Sequence, residues 1–228
     1  MQPELKRVLV VGASRGIGAS VAQHFKKRGH HVIAVSRTLP VTGEWIQADI
    51  ATAEGIRAVA DAIDDTRIDA LLYMGGVWEN NAFTHHYDFM TISDEETRYV
   101  ISVNTIAPIE ITRQLANNLA KSDNPRAIFM GSVSGLENCA SKEVANTASK
   151  FGLRGAVQSL RLALHSHNIG FTVINPGNVA TEEVLADINE GRFPLQVPIP
   201  IKDLISSIEW ILALSSAVDV VEINLQQR

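Results

Sequence analysis

The sequence is poor in cysteine, aromatic residues and positive charge. Its single cysteine, Cys139, cannot form a disulfide within the chain, so a reducing, cytoplasmic location is expected. Aromatic residues make up only 6% of the 228 residues, but hydrophobic residues make up 46%, which is typical of a globular chain. The formal net charge of -5 argues against a nucleic-acid partner, whose phosphates favour a basic surface.

Long uninterrupted apolar runs are also missing. The apolar run at 7–11 is too short for a signal peptide or a membrane span, and no small-residue cleavage pattern follows it. The stretch 204–221 is more apolar, but it contains Glu209, Asp219 and four serines, so a packing helix that leads into a strand is favoured. We expect no membrane partner and a single domain over 1–228, since no linker or repeat interrupts the chain.

Short β-branched runs alternate with amphipathic segments along the chain. Strands are predicted at 7–11, 31–36, 44–48, 70–74, 127–130, 171–174 and 220–225. Helices are predicted at 17–27, 53–64, 95–120, 144–165 and 202–214. Strands that are apolar on both faces and separated by helices predict an α/β fold in which helices cover both faces of a parallel sheet. Right-handed crossovers make this sheet doubly wound.

A glycine-rich loop, GASRGIG at 12–18, follows the first strand and opens the first helix. Glycines permit a tight turn and let the backbone approach a phosphate, while the helix N-terminus offers free N–H groups. The strand-loop-helix context is the one that dinucleotide binding requires. The loop residues predicted to contact a dinucleotide are Gly12, Ser14, Arg15, Gly16, Ile17 and Gly18.

The end of the second strand indicates which dinucleotide is bound. An acidic residue usually holds the adenosine ribose there, but this strand ends in Ser36 and Arg37. Together with Arg15, these side chains suit a 2′-phosphate, so NADP(H) is favoured over NAD(H). Two solvated surface arginines are the alternative interpretation.

Further motifs follow the loop in a fixed order. Asn104 lies in a long helical segment, Ser132 follows the fifth strand, Lys150 lies in the next helix, and Pro176-Gly177 ends the sixth strand. With GASRGIG, this order resembles the short-chain dehydrogenase/reductase family over nearly the whole chain, especially its short β-ketoacyl-carrier-protein-reductase-like and C-factor-like members. The resemblance implies an oxidoreductase with a single Rossmann domain, a seven-stranded parallel sheet, a small-molecule substrate and no metal.

The resemblance also implies a role for individual residues. Ser132 would hydrogen-bond the substrate oxygen, and Lys150 would bind the nicotinamide ribose. Asn104 would hold a water through its backbone carbonyl, which loses its helical partner because Pro108 has no N–H. The remaining cofactor contacts would come from Asp49 and Ile50 at the adenine, from Gly75 and Gly76 in a Tyr-Met-Gly-Gly stretch that departs from the family pattern, and from Pro176, Gly177, Val179 and Thr181 at the carboxamide.

One position breaks the pattern of the active-site helix. In VANTASKFG, Asn146 stands where the family carries its proton-donating tyrosine, four residues before Lys150 and on the same helix face. An amide can polarise a carbonyl but cannot titrate, so efficient ketone reduction by the family mechanism is not expected. Alternative proton donors in the sequence are Tyr73, His85, His86 and Tyr87.

Three functions remain open from sequence. The first is an NADP(H)-dependent reductase of a small carbonyl or conjugated enone that uses an altered proton donor. The second is a cofactor-binding protein without turnover, acting as a sensor or partner subunit. The third is an active reductase in which asparagine was substituted for the catalytic tyrosine.

Two further expectations concern the lid and the assembly. The resemblance implies that the family's variable substrate lid lies at 181–202, where it should close a small, moderately apolar substrate pocket. The two long helices resemble the pair that forms the family's four-helix interface, with Val157, Leu160 and Leu164 as surplus apolar residues. A homodimer or homotetramer is therefore expected.

Overall fold

Seven short strands form one parallel sheet in the computed structural model, which describes residues 6–228. The strands are β1 (Arg7–Val11), β2 (His31–Ser36), β3 (Glu44–Gln47), β4 (Ala70–Tyr73), β5 (Arg126–Met130), β6 (Gly170–Pro176) and β7 (Glu222–Leu225). Their order is β3-β2-β1-β4-β5-β6-β7, so the winding direction reverses between β1 and β4. The predicted doubly wound, seven-stranded sheet is confirmed, and a ligand crevice is expected at this reversal.

The α-helices of the described chain are α1 (Gly16–Lys27), α2 (Ala53–Ile63), α3 (Asp94–Ile101), α4 (Ala107–Leu119), α5 (Val144–Ala163), α6 (Glu182–Asn189) and α7 (Ile201–Ala213). Several begin where the sequence supplies a cap. The hydroxyls of Thr52, Ser93 and Thr181 each accept a hydrogen bond from an amide in the first turn of α2, α3 and α6, respectively. Among residues 6–228, no helix combines the length and hydrophobicity that crossing a membrane requires.

The sheet divides the core into two layers, as the alternating side chains of the inner strand β1 show. Leu9 and Val11 belong to a core formed with α2, α4 and α5, whereas Val8 and Val10 belong to a core formed with α1 and α7. Leu9 is paired with Ile33 of β2 and also with Leu71 of β4, so β1 is held on both sides. Helices therefore cover both faces of the sheet, and the strand ends remain free to form a site.

The helix predicted at 95–120 is interrupted. The α3 and α4 segments are joined by a π-helical turn at Ser102–Ile106, in which the amide of Ala107 bonds to the carbonyl of Ser102. Pro108 lacks an amide hydrogen, so it cannot donate the usual bond to the carbonyl four residues earlier, at Asn104. A widened turn at this point is the physical consequence, and π-turns are frequent at functional sites.

The apolar residues predicted to form a subunit interface lie elsewhere. Val157 is only 2% exposed and belongs to the core beneath the sheet, and Leu160 and Leu164 pack against the same core. The prediction was wrong for Val157, because the face of α5 that it occupies turns towards the sheet, whereas Leu160 and Leu164 are only half-buried. Among the exposed apolar residues of α4 and α5 are Ile109, Phe151 and Leu162.

Candidate active site

A cavity of about 280 Å³ lies at the carboxyl ends of the central strands. Its wall includes almost every residue that the sequence analysis assigned to the site. These are Gly12, Ser14, Arg15, Gly16, Ile17, Gly18, Ser36, Arg37, Asp49, Ile50, Gly75, Gly76, Ser132, Asn146, Lys150, Pro176, Gly177, Val179 and Thr181. Asn104 is the exception, because it lies behind the wall. The individual roles stay predictions, but the residues do share one cavity.

The glycine loop is shaped by close backbone approaches. The amides of Gly12 and Ala13 both donate to the carbonyl of Val35, at 2.9 and 3.2 Å, which ties the loop to β2. Gly12 has a φ of +84°, and a Cβ there would lie 2.5 Å from the Cα of Gly75. A side chain at this position would therefore push apart the two loops that meet at the sheet reversal.

The N-terminus of α1 is suited to an anion. Its N-cap residue is Arg15, and within the described residues no side chain caps its first turn. Gly16 has a φ of +56°, and a Cβ built on it would meet its nearest atom only at 3.8 Å, inside the cavity. The first amides and the open space beside Gly16 form the cradle that a dinucleotide diphosphate requires.

The end of β2 presents a cationic side chain to the cavity. The Arg37 guanidinium lies 6.0 Å from the ring centre of Tyr99, a cavity residue of α3 that the sequence analysis missed. Such an arrangement orients the guanidinium by a cation–π contact. Asp49, the acid nearby on the wall, accepts a hydrogen bond from the amide of Ala51 at 3.0 Å, so one of its oxygens is engaged.

Lys150 lies deep in the cavity wall. Its side chain is buried, and Nζ donates a hydrogen bond to the carbonyl of Met130 at 3.1 Å. Burial disfavours the ammonium ion and lowers the pKa of Lys150 to about 8. Gly76 lies close by, since a Cβ built on it would meet this Nζ at 3.4 Å.

The side chain of Asn104 hydrogen-bonds to the loop that follows β4. Its Oδ1 accepts from the amide of Val77 at 2.9 Å, and its Nδ2 donates to the carbonyl of Val77 at 2.7 Å and to Oγ of Ser149 at 3.0 Å. The side chain thereby fastens the loop to α5. The role implied by the family resemblance, in which the backbone carbonyl of Asn104 holds a water, stays a prediction.

Asn146 and Ser132 complete the wall around Lys150. Asn146 is 2% exposed, and its backbone amide donates to the carboxylate of Glu79. The Oγ of Ser132 accepts from the amide of Ser134 at 3.1 Å and lies 3.0 Å from Oγ of Ser134. The hydroxyl of Ser132 and the backbone of Asn146 are therefore both held in place at the cavity.

None of the four alternative proton donors borders the cavity. Tyr73 is buried in the core, where its hydroxyl donates to the carbonyl of Val103 at 2.6 Å and burial raises its pKa well above the usual value. His85 and His86 are exposed. The hydroxyl of Tyr87 accepts from the amide of Val144 at 3.4 Å, outside the wall.

Two buried carboxylates support the active-site helix from behind. Glu79 is 1% exposed and accepts from the amide of Ala145 at 2.7 Å as well as from Asn146. Glu143 is 3% exposed and accepts from the amide of Phe83 at 2.8 Å. Sequence reasoning missed Glu79, because it caps a helix that begins more than sixty residues later.

Aromatic side chains form an apolar part of the cavity wall. The rings of Trp78 and Phe83 lie 6.0 Å apart, and Phe83 lies 6.2 Å from Phe193 of the segment after α6. All three rings border the cavity, and Val184 of α6 joins them. These side chains give this part of the cavity an apolar lining.

Known proteins resemble this chain both in sequence and in fold. The sequence profile described as short chain dehydrogenase matches residues 6–191. The chain is 29% identical over 213 residues to the 3-oxoacyl-(acyl-carrier-protein) reductase FabG of Escherichia coli. The aligned region covers 87% of this chain and 84% of that protein.

Solved structures show a similar fold. An L-sorbose reductase from Gluconobacter frateurii, complexed with NADPH and L-sorbose, aligns with a TM-score of 0.82 and 19% identity over 98% of this chain and 96% of that one. A 4-hydroxyisoleucine dehydrogenase complexed with NADH aligns with a TM-score of 0.81 and 23% identity over 97% of each chain. The neighbours thus include structures with either cofactor.

Proposed function

The chain belongs to the short-chain dehydrogenase family, and from this premise we propose that it is an NADP(H)-dependent oxidoreductase of a small carbonyl compound or conjugated enone. The observation that carries the proposal is the single cavity whose wall brings together the glycine loop, Ser132 and Lys150. These elements come from β1, β5 and α5, and the fold places them around a pocket of about 280 Å³.

The described residues fit a dinucleotide. The uncapped N-terminus of α1 and the open space at Gly16 would receive the diphosphate, and Lys150 would hold the nicotinamide ribose. Bound nicotinamide supplies or accepts the hydride. Arg15 and Arg37 both border the cavity, and two guanidiniums near the adenosine ribose favour a 2′-phosphate.

Ser132 and Asn146 are the side chains that would hold a substrate oxygen. Both border the cavity, and both can donate a hydrogen bond to a carbonyl. Neither can supply a proton readily near neutral pH, so the reduction requires an altered donor. We assign that proton to the Lys150 ammonium, one helical turn from Asn146 on the cavity wall, because its lowered pKa of about 8 suits proton transfer near neutral pH.

A second candidate function is cofactor binding without turnover. It is favoured by the amide at position 146 and by the placement of Tyr73, His85, His86 and Tyr87 away from the cavity wall. A third is an active reductase with a substituted tyrosine. Restoring a phenol at position 146 separates these possibilities.

Cofactor titration tests the proposed preference. We expect the protein to bind NADPH more tightly than NADH, and Arg37→Asp to weaken NADPH binding by about tenfold or more, as expected for the loss of a charge-assisted contact. Cofactor fluorescence measures both dissociation constants. Arg57→Asp is the matched control, because Arg57 is exposed on α2 and outside the cavity wall. Equal affinities for the two cofactors in the unmodified protein would refute the preference.

We also propose a homodimer or homotetramer in solution. The support is the family resemblance of α4 and α5 and the exposed apolar side chains of Ile109, Phe151 and Leu162 on them. Light scattering at micromolar concentration should give two or four times the monomer mass. A monomeric mass would contradict the proposal.

A further inference from the structure

The lid helix α6 places a carboxylate directly over the glycine loop. In its first turn, Oε1 of Glu183 lies 3.0 Å from Nη1 of Arg15. The other carboxylate oxygen, Oε2, is the atom nearest to a Cβ built on Gly16, at 3.8 Å. Arg15, Gly16 and Glu183 all border the cavity. One carboxylate oxygen of Glu183 therefore lies at the edge of the space in which the first turn of α1 would receive a phosphate.

The ion pair is weak enough to be displaced. The Arg15 side chain is 73% exposed and that of Glu183 is 46% exposed, so water screens their attraction. A bound dinucleotide presents several negative charges to the same loop. Glu183 opposes these charges in two ways, by repulsion beside Gly16 and by engaging the guanidinium of Arg15.

We propose that Glu183 is a cofactor-specificity residue that competes with the cofactor phosphates for Arg15 and disfavours NADP(H) more than NAD(H). The inference rests on the proposed function. A 2′-phosphate adds up to about two further negative charges that Arg15 would have to neutralise. NADP(H) therefore meets both the repulsion and the competition for Arg15, whereas NAD(H) meets mainly the repulsion.

The same contact links cofactor binding to the lid. The Arg15–Glu183 pair joins α6 to the N-terminal end of α1, and α6 begins at its cap Thr181 on the cavity wall. A phosphate that takes Arg15 releases this tether. Arg15 and Glu183 would therefore be separated more completely with NADP(H) bound than with NAD(H) bound.

A charge-neutral substitution tests the competition. Glu183→Gln should tighten NADPH binding by about fivefold or more, because removing the repulsion of one unit charge at about 4 Å in water already accounts for about fivefold and the substitution also frees Arg15 for the 2′-phosphate. NADH binding should tighten less, so the ratio of the two dissociation constants changes. Glu182→Gln is the matched control, because it removes the same charge one residue earlier from an exposed side chain outside the cavity wall. It should leave the ratio unchanged.

A double-mutant cycle isolates the part that acts through Arg15. In an Arg15→Gln background, Glu183→Gln should no longer alter the ratio of NADPH to NADH affinity. Fluorescence titration of each cofactor at low ionic strength supplies all the constants. An unchanged ratio in Glu183→Gln, or the same change in Glu182→Gln, would overturn the inference while leaving the proposed function standing. Failure of the unmodified protein and of every variant to bind either cofactor would overturn both.

Discussion

Asn146→Tyr should raise kcat/KM for NADPH-dependent reduction of a simple ketone, by at most the roughly 10²–10⁴ that a positioned general acid contributes, because the phenol adds a donor to the Lys150 ammonium already present. Position 146 faces the cavity beside Ser132, and Lys150 lies one helical turn later on the same wall. A phenol there would be acidified by the ammonium and could deliver the proton that an amide cannot. The rates are measured as the loss of NADPH absorbance with each compound of a panel of carbonyls and enones. The affinity for NADPH should change little.

Asn146→Phe is the matched control for this experiment. It adds nearly the same ring volume without the hydroxyl, so it should give no gain in rate. If Asn146→Tyr leaves a brisk turnover unchanged or lowers it, the phenol is not the missing group. If both the unmodified protein and Asn146→Tyr bind NADPH but reduce neither carbonyls nor enones, cofactor binding without turnover becomes the better description.

The sequence predicted which residues would share one cavity, because most of them follow strands or open helices. The carboxyl ends of parallel strands meet at one edge of the sheet, so motifs after β1, β4, β5 and β6 must come together once the fold is known. The glycine loop is recognised from local spacing alone. Lys150 and Asn146 then face the same cavity because they are four residues apart on one helix.

Long-range side-chain contacts could not be predicted in this way. Glu79 caps α5 from the loop after β4, and Glu183 reaches Arg15 from α6, a helix that was expected only as part of a lid. No periodicity marks such pairs. The burial of Val157 was also not predicted. The sequence of a long helix does not show whether an apolar residue packs against the sheet or against a second subunit.

Lys150→Met should lower carbonyl reduction by at least about 10²-fold, since it removes the assigned proton donor. In the unmodified protein, kcat/KM should fall as the pH rises through about 8, where the buried ammonium loses its proton. Rates measured from pH 6 to 10 check both expectations. Lys202→Met is the control, because Lys202 is exposed on α7 and outside the cavity wall. A rate that is flat through pH 8, or undiminished in Lys150→Met, would place the proton donor elsewhere.

The same substitution should stabilise the fold near neutral pH. Burial lowers the pKa of Lys150 from 10.5 to about 8, so between these values the unfolded chain binds more protons and stability rises with pH. Below pH 8 the folded protein carries the full cost of burying the ammonium, about 3 kcal/mol from the size of the shift. Methionine removes that cost but leaves the Met130 carbonyl without the Lys150 Nζ donor, which offsets about 1 kcal/mol.

Urea denaturation should therefore show Lys150→Met more stable by about 2 kcal/mol at pH 7, with the difference lost as the pH approaches 10.5. Lys202→Met should change stability little at either pH. A variant that is less stable than the unmodified protein at pH 7 would mean that the ammonium is not destabilised by its surroundings. An increase in stability combined with a loss of reduction would show that the fold tolerates a buried charge at Lys150 because the chemistry requires it there.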